Sequence, residues 1–249
     1  MLTAASSRIW LLPLGVAGVL WSLNVLPSFL ATAPLRDWSA QIIADETFKV
    51  GTFTELARGG ALSAELWMLE PARAQAEALI HLRAAEEAIR RKNSEEADRA
   101  VEAALTKVRS ALAVTPTDSL LWLLIYSVET SRGGVDPQYV RYLDQSYRCG
   151  PYEGWLMLRR NGLALAIFPT LTNITQEAVI SEFAEMVDAD FLADAAKNLT
   201  TVGWAYRARL LPKLEQITLA SRQSFARALS GQGYKVPIPG IVQHDRPWR

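Results

Sequence analysis

The chain has 249 residues, half of them hydrophobic, and its 26 basic side chains balance 26 acidic ones. With no net charge, a nucleic-acid partner is not expected, because phosphate backbones are met by basic surfaces. The single cysteine, Cys149, excludes an internal disulfide, and two histidines, His81 and His244, are too few for a structural zinc.

Residues 1–8 form a short arm carrying Arg8. From Ile9 to Ala33 no side chain is charged, and this run exceeds the about 20 apolar residues that cross a bilayer. Residues 9–33 are therefore predicted to be a transmembrane helix. Lipid leaves backbone amides no partner outside their own segment, so the helix is expected despite Pro13, Gly15, Gly18 and Pro27. A cleaved secretion signal is the rival reading, since Ala31-Thr32-Ala33 fits a small-x-small pattern, but Pro34 would follow the cut and the apolar run is long for a signal. A buried helix of the following domain is a third reading, opposed by about 25 residues without charge. Arg8 faces Arg36 and Lys49 across the span, and the short arm makes N-in the simpler topology. This predicts a single-pass inner-membrane protein with a periplasmic domain.

Residues 34–70 read as a linker with first helices, and residues 71–230 as a helical domain. After Pro71, Ala74, Ala78, Leu82, Ala85 and Ile89 make an apolar stripe. A second helix is expected from Glu95 to Ala113, with Ala97, Ala100, Val101, Ala104, Leu105, Val108, Ala111 and Leu112 on one face and Asn93 as N-cap. The few polar residues between the two helices imply an antiparallel pair, and the alanines let the axes approach closely. Leu120–Thr130 is apolar on most sides and stops at Gly133-Gly134. Asp136-Pro137 reads as an N-cap followed by proline at the first helical position, before a stripe of Tyr139, Val140, Leu143 and Tyr147. The next helix is expected over Glu153–Phe168 with Trp155, Leu158, Leu165 and Phe168 inward. Another, capped by Thr175 or Asn173, buries Ala178, Val179, Phe183, Met186 and Val187, and Asp188–Leu199 either continues it or starts a new one. A last long helical region is expected over Gly203–Leu229, interrupted or kinked at Pro212. Residues 231–249 form an extended Gly- and Pro-containing tail that straps the domain through Tyr234, Val236, Ile238 and Ile241 or waits for a partner. Apolar alternation at period two is absent, so the fold class is all-α.

Two spacings repeat. Pro116 and Pro151 lie 35 residues apart, and Trp122 and Trp155 lie 33 apart. Ala111, Val108 and Ala104 precede Pro116 by five, eight and twelve places, and Ser146, Leu143 and Tyr139 stand likewise before Pro151. This pattern resembles the tetratricopeptide repeat, whose period is about 34 residues. The resemblance covers about Pro71–Pro169. It departs at the first-helix glycine, replaced by Tyr126 and Arg159. It implies an N-terminal span followed by an array of antiparallel helical hairpins, with Ala104, Val108, Ala111, Pro116, Trp122, Leu143, Ser146, Pro151 and Trp155 as packing residues and the helices beyond Thr175 as a cap. An unrelated helical bundle is the alternative.

No catalytic, cofactor or metal constellation emerges. His81 lies among alanines and carboxylates, Cys149 reads as a small apolar residue at a helix end, and Arg159-Arg160 reads as a solvated or helix-end charge. Residues 200–249 carry eight basic against two acidic side chains, a net of +6, and Arg207, Arg209, Lys213, Arg222 and Arg227 are candidate contacts for an anionic lipid, polysaccharide or acidic partner. The expected function is that of a non-catalytic, membrane-anchored scaffold or adaptor binding another protein, similar to small helical proteins that accompany envelope polysaccharide synthesis or export. The alternatives are an accessory subunit whose transmembrane helix is the main interaction element, through Trp10, Gly15, Gly18 and Trp21, and an enzyme with an unrecognised site.

Overall fold

The computed structural model describes residues 3–44, 46–59, 70–91, 94–151 and 153–242, and within the first helix the side chains of 3–12 and 27–32 are not described. Every regular element among the described residues is helical, as the absence of period-two alternation predicts. The chain divides into two units, Met1–Pro116 and Thr117–Arg249.

The first unit contains α1 (Thr3–Ile43), α2 (Thr52–Arg58), α3 (Pro71–Arg90) and α4 (Ser94–Val114). The predicted end of the first helix at Ala33 is wrong. α1 runs on for ten residues because Leu35, Ser39 and Ile42 are buried where it packs on α3. Arg36 bridges to Glu70, and Arg83 donates to the Ile42 carbonyl at 3.3 Å, which ties this extension to the N-terminal end and the interior of its neighbour. Among the described residues no helix is long and apolar enough to cross a membrane, and the expected span 9–33 falls partly on side chains outside those described. Its described part, Pro13–Leu26, is exposed apart from half-buried Val25.

Against α3 pack α1, α2 and α4, so its burial extends round the helix to Ala76, Leu79, Ile80, Ala84 and Ala88. The predicted single stripe fails at its edges for that reason: Ala74 is half-buried and Ile89 exposed. By contrast α4 buries Val101, Ala104, Leu105, Val108, Ala111 and Leu112 of the predicted face, with Ala97 and Ala100 half-buried at its start, while its expected cap Asn93 lies outside the described residues. Glu77 on α3 receives Arg73 and Lys107, both at 2.8 Å, which joins α3 to α4. Gly51, at φ 98°, turns the chain into α2 with a backbone that favours glycine. The buried Glu87 then accepts from the Thr54 amide at 3.2 Å and hydroxyl at 2.8 Å, filling the first turn of α2.

The second unit contains α5 (Ser119–Gly133), α6 (Pro137–Cys149), α7 (Gly154–Ala166), α8 (Asn173–Asp188), α9 (Leu192–Thr200), α10 (Arg207–Lys213) and α11 (Leu219–Gly231). Asp118 and Asp136 cap α5 and α6 through side-chain bonds to backbone amides, and Pro137 opens α6. The two helices pack on each other, and Ser146 donates to the Ser119 carbonyl between them at 2.8 Å. α8 is the centre of this unit, packing on α7, α9, α10 and α11 and burying Val179, Ile180, Phe183, Met186 and Val187.

Three expectations fail here. Trp155 and Leu158 are exposed, because α7 turns Leu156, Met157, Arg160, Asn161, Ala164 and Leu165 inward. A hydropathy pattern assigns an arginine and an asparagine to solvent and so misplaces the first half of that face, while Leu165 and Phe168 are buried as expected. Neither Thr175 nor Asn173 caps α8: Thr172 does, accepting from the Thr175 amide. The expected long C-terminal helical region is instead α10, a 3-10 turn at Leu214–Gln216 and α11. Pro212 sits within the last turns of α10, and the break comes at Ile217, where Thr218 caps a fresh helix by accepting from the Ser221 amide.

α8 and α9 are separate helices. Asp190 takes φ 65°, the Asp190 amide returns to the Val187 carbonyl and the Phe191 amide to the Met186 carbonyl, closing α8 with a left-handed residue. The tail straps: Val236 and Ile238 are buried, Arg222 donates to the Pro239 carbonyl at 2.7 Å, and Tyr234 lies 5.7 Å from the Trp204 ring. Residues 243–249, His244 included, lie outside the described residues.

Candidate functional site

The second unit holds a desolvated polar network. Arg160 on α7 is fully buried, which corrects its expected place on a solvated face. Its guanidinium lies 4.0 Å from the centre of the Tyr147 ring and donates to Glu182 at 3.0 and 2.5 Å, to the Ser146 carbonyl at 3.0 Å and to the Gly150 carbonyl at 2.9 Å. Glu182 on α8 also accepts from the Tyr147 hydroxyl at 2.5 Å and the Asn161 amide at 3.3 Å, and Asn161 in turn accepts from Asn198 on α9 at 3.2 Å. Burial pushes the Glu182 carboxyl above its ordinary value against the pull of Arg160, and burial with the Glu182 charge raises the Tyr147 phenol well above its own. Four donors saturate the carboxylate. A carboxylate so engaged orients helices and has no lone pair aimed at a substrate.

The repeat-packing residues divide into two groups. Ala104, Val108, Ala111, Leu143 and Ser146 are fully buried. Trp122 is half-buried and stacks on Tyr142 at 5.9 Å, whereas Trp155, Pro116 and Pro151 are exposed. The tryptophan and proline spacing that carried the resemblance thus maps largely to the surface.

In the first unit a cleft of about 420 Å³ between α2, α3 and α4 is floored by Ala57, Ala84, Ala88, Ala100 and Ala103, with Thr54, Arg58, His81, Glu96 and Arg99 around it. Arg58 is paired with Glu96 at 2.7 Å. Burial, aided by the Lys107 charge and opposed by Glu77, lowers His81 below the ordinary histidine value. The Thr54 hydroxyl lines the same cleft as His81 and donates to Glu87 at 2.8 Å, and in the second unit Gln145 reaches the Cys149 sulfur at 3.4 Å.

The five C-terminal cations have distinct surroundings. Arg209 donates to Gln176 at 2.5 Å and Glu177 at 2.7 Å, and Arg222 holds the strap. Arg227 bonds within its own helix to Gln223 and Ser224, and half-buried Lys213 lines a shallow hollow with Glu177 and Gln216. Exposed Arg207 lies over Trp204 at 4.8 Å. Between α10 and the strap opens a groove of about 540 Å³, walled by Trp204, Leu211, Pro212, Val236, Pro237 and Ile238, with Arg207, Lys235 and Glu215 also lining it. Arg207 and the strap residues are expected from the sequence, whereas the groove they share is not. Among the described residues no three His, Cys, Asp or Glu side chains converge to hold a metal ion. Comparison with protein-family models, with curated proteins and with solved structures finds no match to this chain.

Proposed function

We propose that this chain is a non-catalytic adaptor, held at a membrane by α1, whose helical units bind another protein of an envelope assembly. One observation carries the reading. Leu14, Val16, Val19, Leu20, Trp21, Leu23 and Leu26 are all exposed and fall on every side of α1, a pattern that water does not tolerate and that lipid or an apolar partner covers. The uncharged run from Ile9 to Ala33 gives that surface the length of a bilayer core. The hairpin pairs α3 with α4, α5 with α6 and α7 with α8 support the tetratricopeptide-like reading of the rest, and such helical pairs present surfaces suited to a protein partner. A second reading makes α1 the interaction element. Gly15 and Gly18 support it, since a Cβ at either would meet nothing within 4 Å and the backbone there is open to another helix.

The test is crosslinking and affinity purification of the full chain from gently solubilised membranes, beside a version with residues 9–33 exchanged for an unrelated apolar helix. The adaptor reading expects membrane retention after alkaline washing and the same protein partner with both versions. Loss of the partner on exchange favours the second reading, and release of the intact chain by the wash refutes anchoring.

A further inference from the structure

We propose that the groove between α10 and the C-terminal strap is the docking site for a short acidic peptide segment of the partner, anchored by an apolar side chain against Trp204. The inference rests on the adaptor reading and specifies its contact.

Three observations lead there. The groove is pre-formed: Val236 and Ile238 are pinned in the core, and Arg222 fixes the Pro239 carbonyl, so the strap wall needs no ordering when a ligand arrives. Its wall is apolar and aromatic, with Trp204 held between Tyr234 and Arg207 and still 36 % exposed. Tryptophan and arginine in a pocket are the residue types that dominate binding energy. Its charge is net positive, Arg207 and Lys235 against Glu215, which complements an acidic ligand and repels a basic one.

The wall chemistry narrows the occupant further. Pro237 and Pro239 have no amide hydrogens, which makes the strap a poor edge for strand addition and leaves recognition to a side-chain anchor and to charge. A polyanionic polymer or lipid surface is the poorer fit, because it needs a field of cations and the groove lining holds two, Arg207 and Lys235, beside Glu215.

The experiment selects binders to the full chain in nanodiscs from a display library of random short peptides. A labelled representative is then titrated by fluorescence anisotropy. We expect the selected peptides to set Asp or Glu beside an apolar residue. Affinity should fall at least about tenfold both for Ala208→Trp, which fills the groove from an exposed helix position, and for the double change R207E/K235E. The double change R141E/K197E, at exposed positions on α6 and α9 and with the same effect on net charge, should leave affinity unchanged. Failure to enrich any peptide, a basic or uncharged selected set, an equal loss with R141E/K197E, or displacement of the peptide by phosphatidylglycerol vesicles would each overturn the proposal. If a partner copurifies but crosslinks only to residues before Pro116, the adaptor reading stands and the groove assignment falls. If peptides select as described but no partner copurifies, the reverse holds.

Discussion

Replacing Arg160 with methionine tests whether the buried network orients α6, α7 and α8. The substitution keeps an unbranched stem over Tyr147 but removes the counter-charge of Glu182, both bonds to its Oε1, and the donor to the Gly150 carbonyl. The Ser146 carbonyl retains the Gly150 amide, so its loss is partial. Leaving one charge of a buried pair uncompensated costs about 3–5 kcal/mol, and the stranded Gly150 carbonyl adds about 1 kcal/mol. For a unit of this size the first figure alone corresponds to a fall in unfolding midpoint of roughly 10–20 °C. Thermal unfolding followed by hydrogen exchange separates the units: α7 and α8 amides should lose protection while α3 and α4 amides keep it. Replacing Arg160 with Met, Glu182 with Leu and Tyr147 with Phe together removes the charges and the orphaned hydroxyl, so the triple variant should be more stable than R160M alone. A single-variant cost below about 1 kcal/mol, or a triple variant no better than R160M, would refute a network that acts through paired burial.

Ala104→Trp should destabilise the first unit by about 1–3 kcal/mol, because Ala104 is fully buried where α4 packs on α3; unchanged unfolding would contradict that packing. Gly150→Ala should cost a similar amount in the second unit, roughly 1–3 kcal/mol, since its Cβ would come within 2.4 Å of the Ser119 hydroxyl and 2.7 Å of the Ser119 Cβ; denaturant midpoints of the two proteins decide it. Ile238→Ala should loosen the strap and cost about 2–5 kcal/mol, read as faster proteolysis after Gly233. Acidification should act oppositely on the two units. His81 is lowered below 6.5, so its contribution is present above that pH and lost as pH falls through its folded value. In Glu77 burial pushes upward but Lys107 and Arg73 prevail, and in Glu87 the Thr54, Gly51 and Phe53 donors prevail, so both are held below 4.5 and their stability is likewise lost on acidification. Glu182 is raised by burial, so its contribution is present at low pH and lost as pH rises. Exchange-rate-corrected protection should therefore fail in α3 and α4 before α7 and α8 as pH drops, and the reverse order would contradict these assignments.

Local chemistry was legible in the sequence wherever one short-range interaction decides the outcome. Asp136 and Pro137 start α6 where the cap-and-proline pair says, and α4 buries its predicted face because its neighbour α3 covers one side. Legibility ended where burial is decided by several neighbours or by polar pairing. α3 is surrounded, so a one-face stripe under-reads it. α7 faces inward with Arg160 and Asn161, whose partners Glu182 and Asn198 lie more than twenty residues away on other helices. No pattern within α7 announces that they are there. The same limit hid the groove, whose walls come from α10 and from a strap more than twenty residues downstream.

The continuity of α1 bears on the proposed adaptor role. α1 continues as helix from the exposed apolar stretch at Leu14–Leu26 into the segment where Leu35 and Ile42 are buried against α3, although Pro27 and Pro34 each withhold one backbone bond. Turning a helix through 100° about its axis moves every side chain on it by one residue's worth of rotation, so a reorientation of the apolar part is passed to Leu35, Ile42 and the Arg36–Glu70 pair rather than absorbed by a linker. The aromatic cluster of Trp38, Phe48 and Phe53, with ring separations of 5.8, 6.1 and 4.8 Å, then braces α1 against α2. A flexible tether would let the first unit sample many orientations. A helix packed within two to three turns of its apolar stretch does not, and whatever covers that stretch therefore also fixes which face the first unit presents.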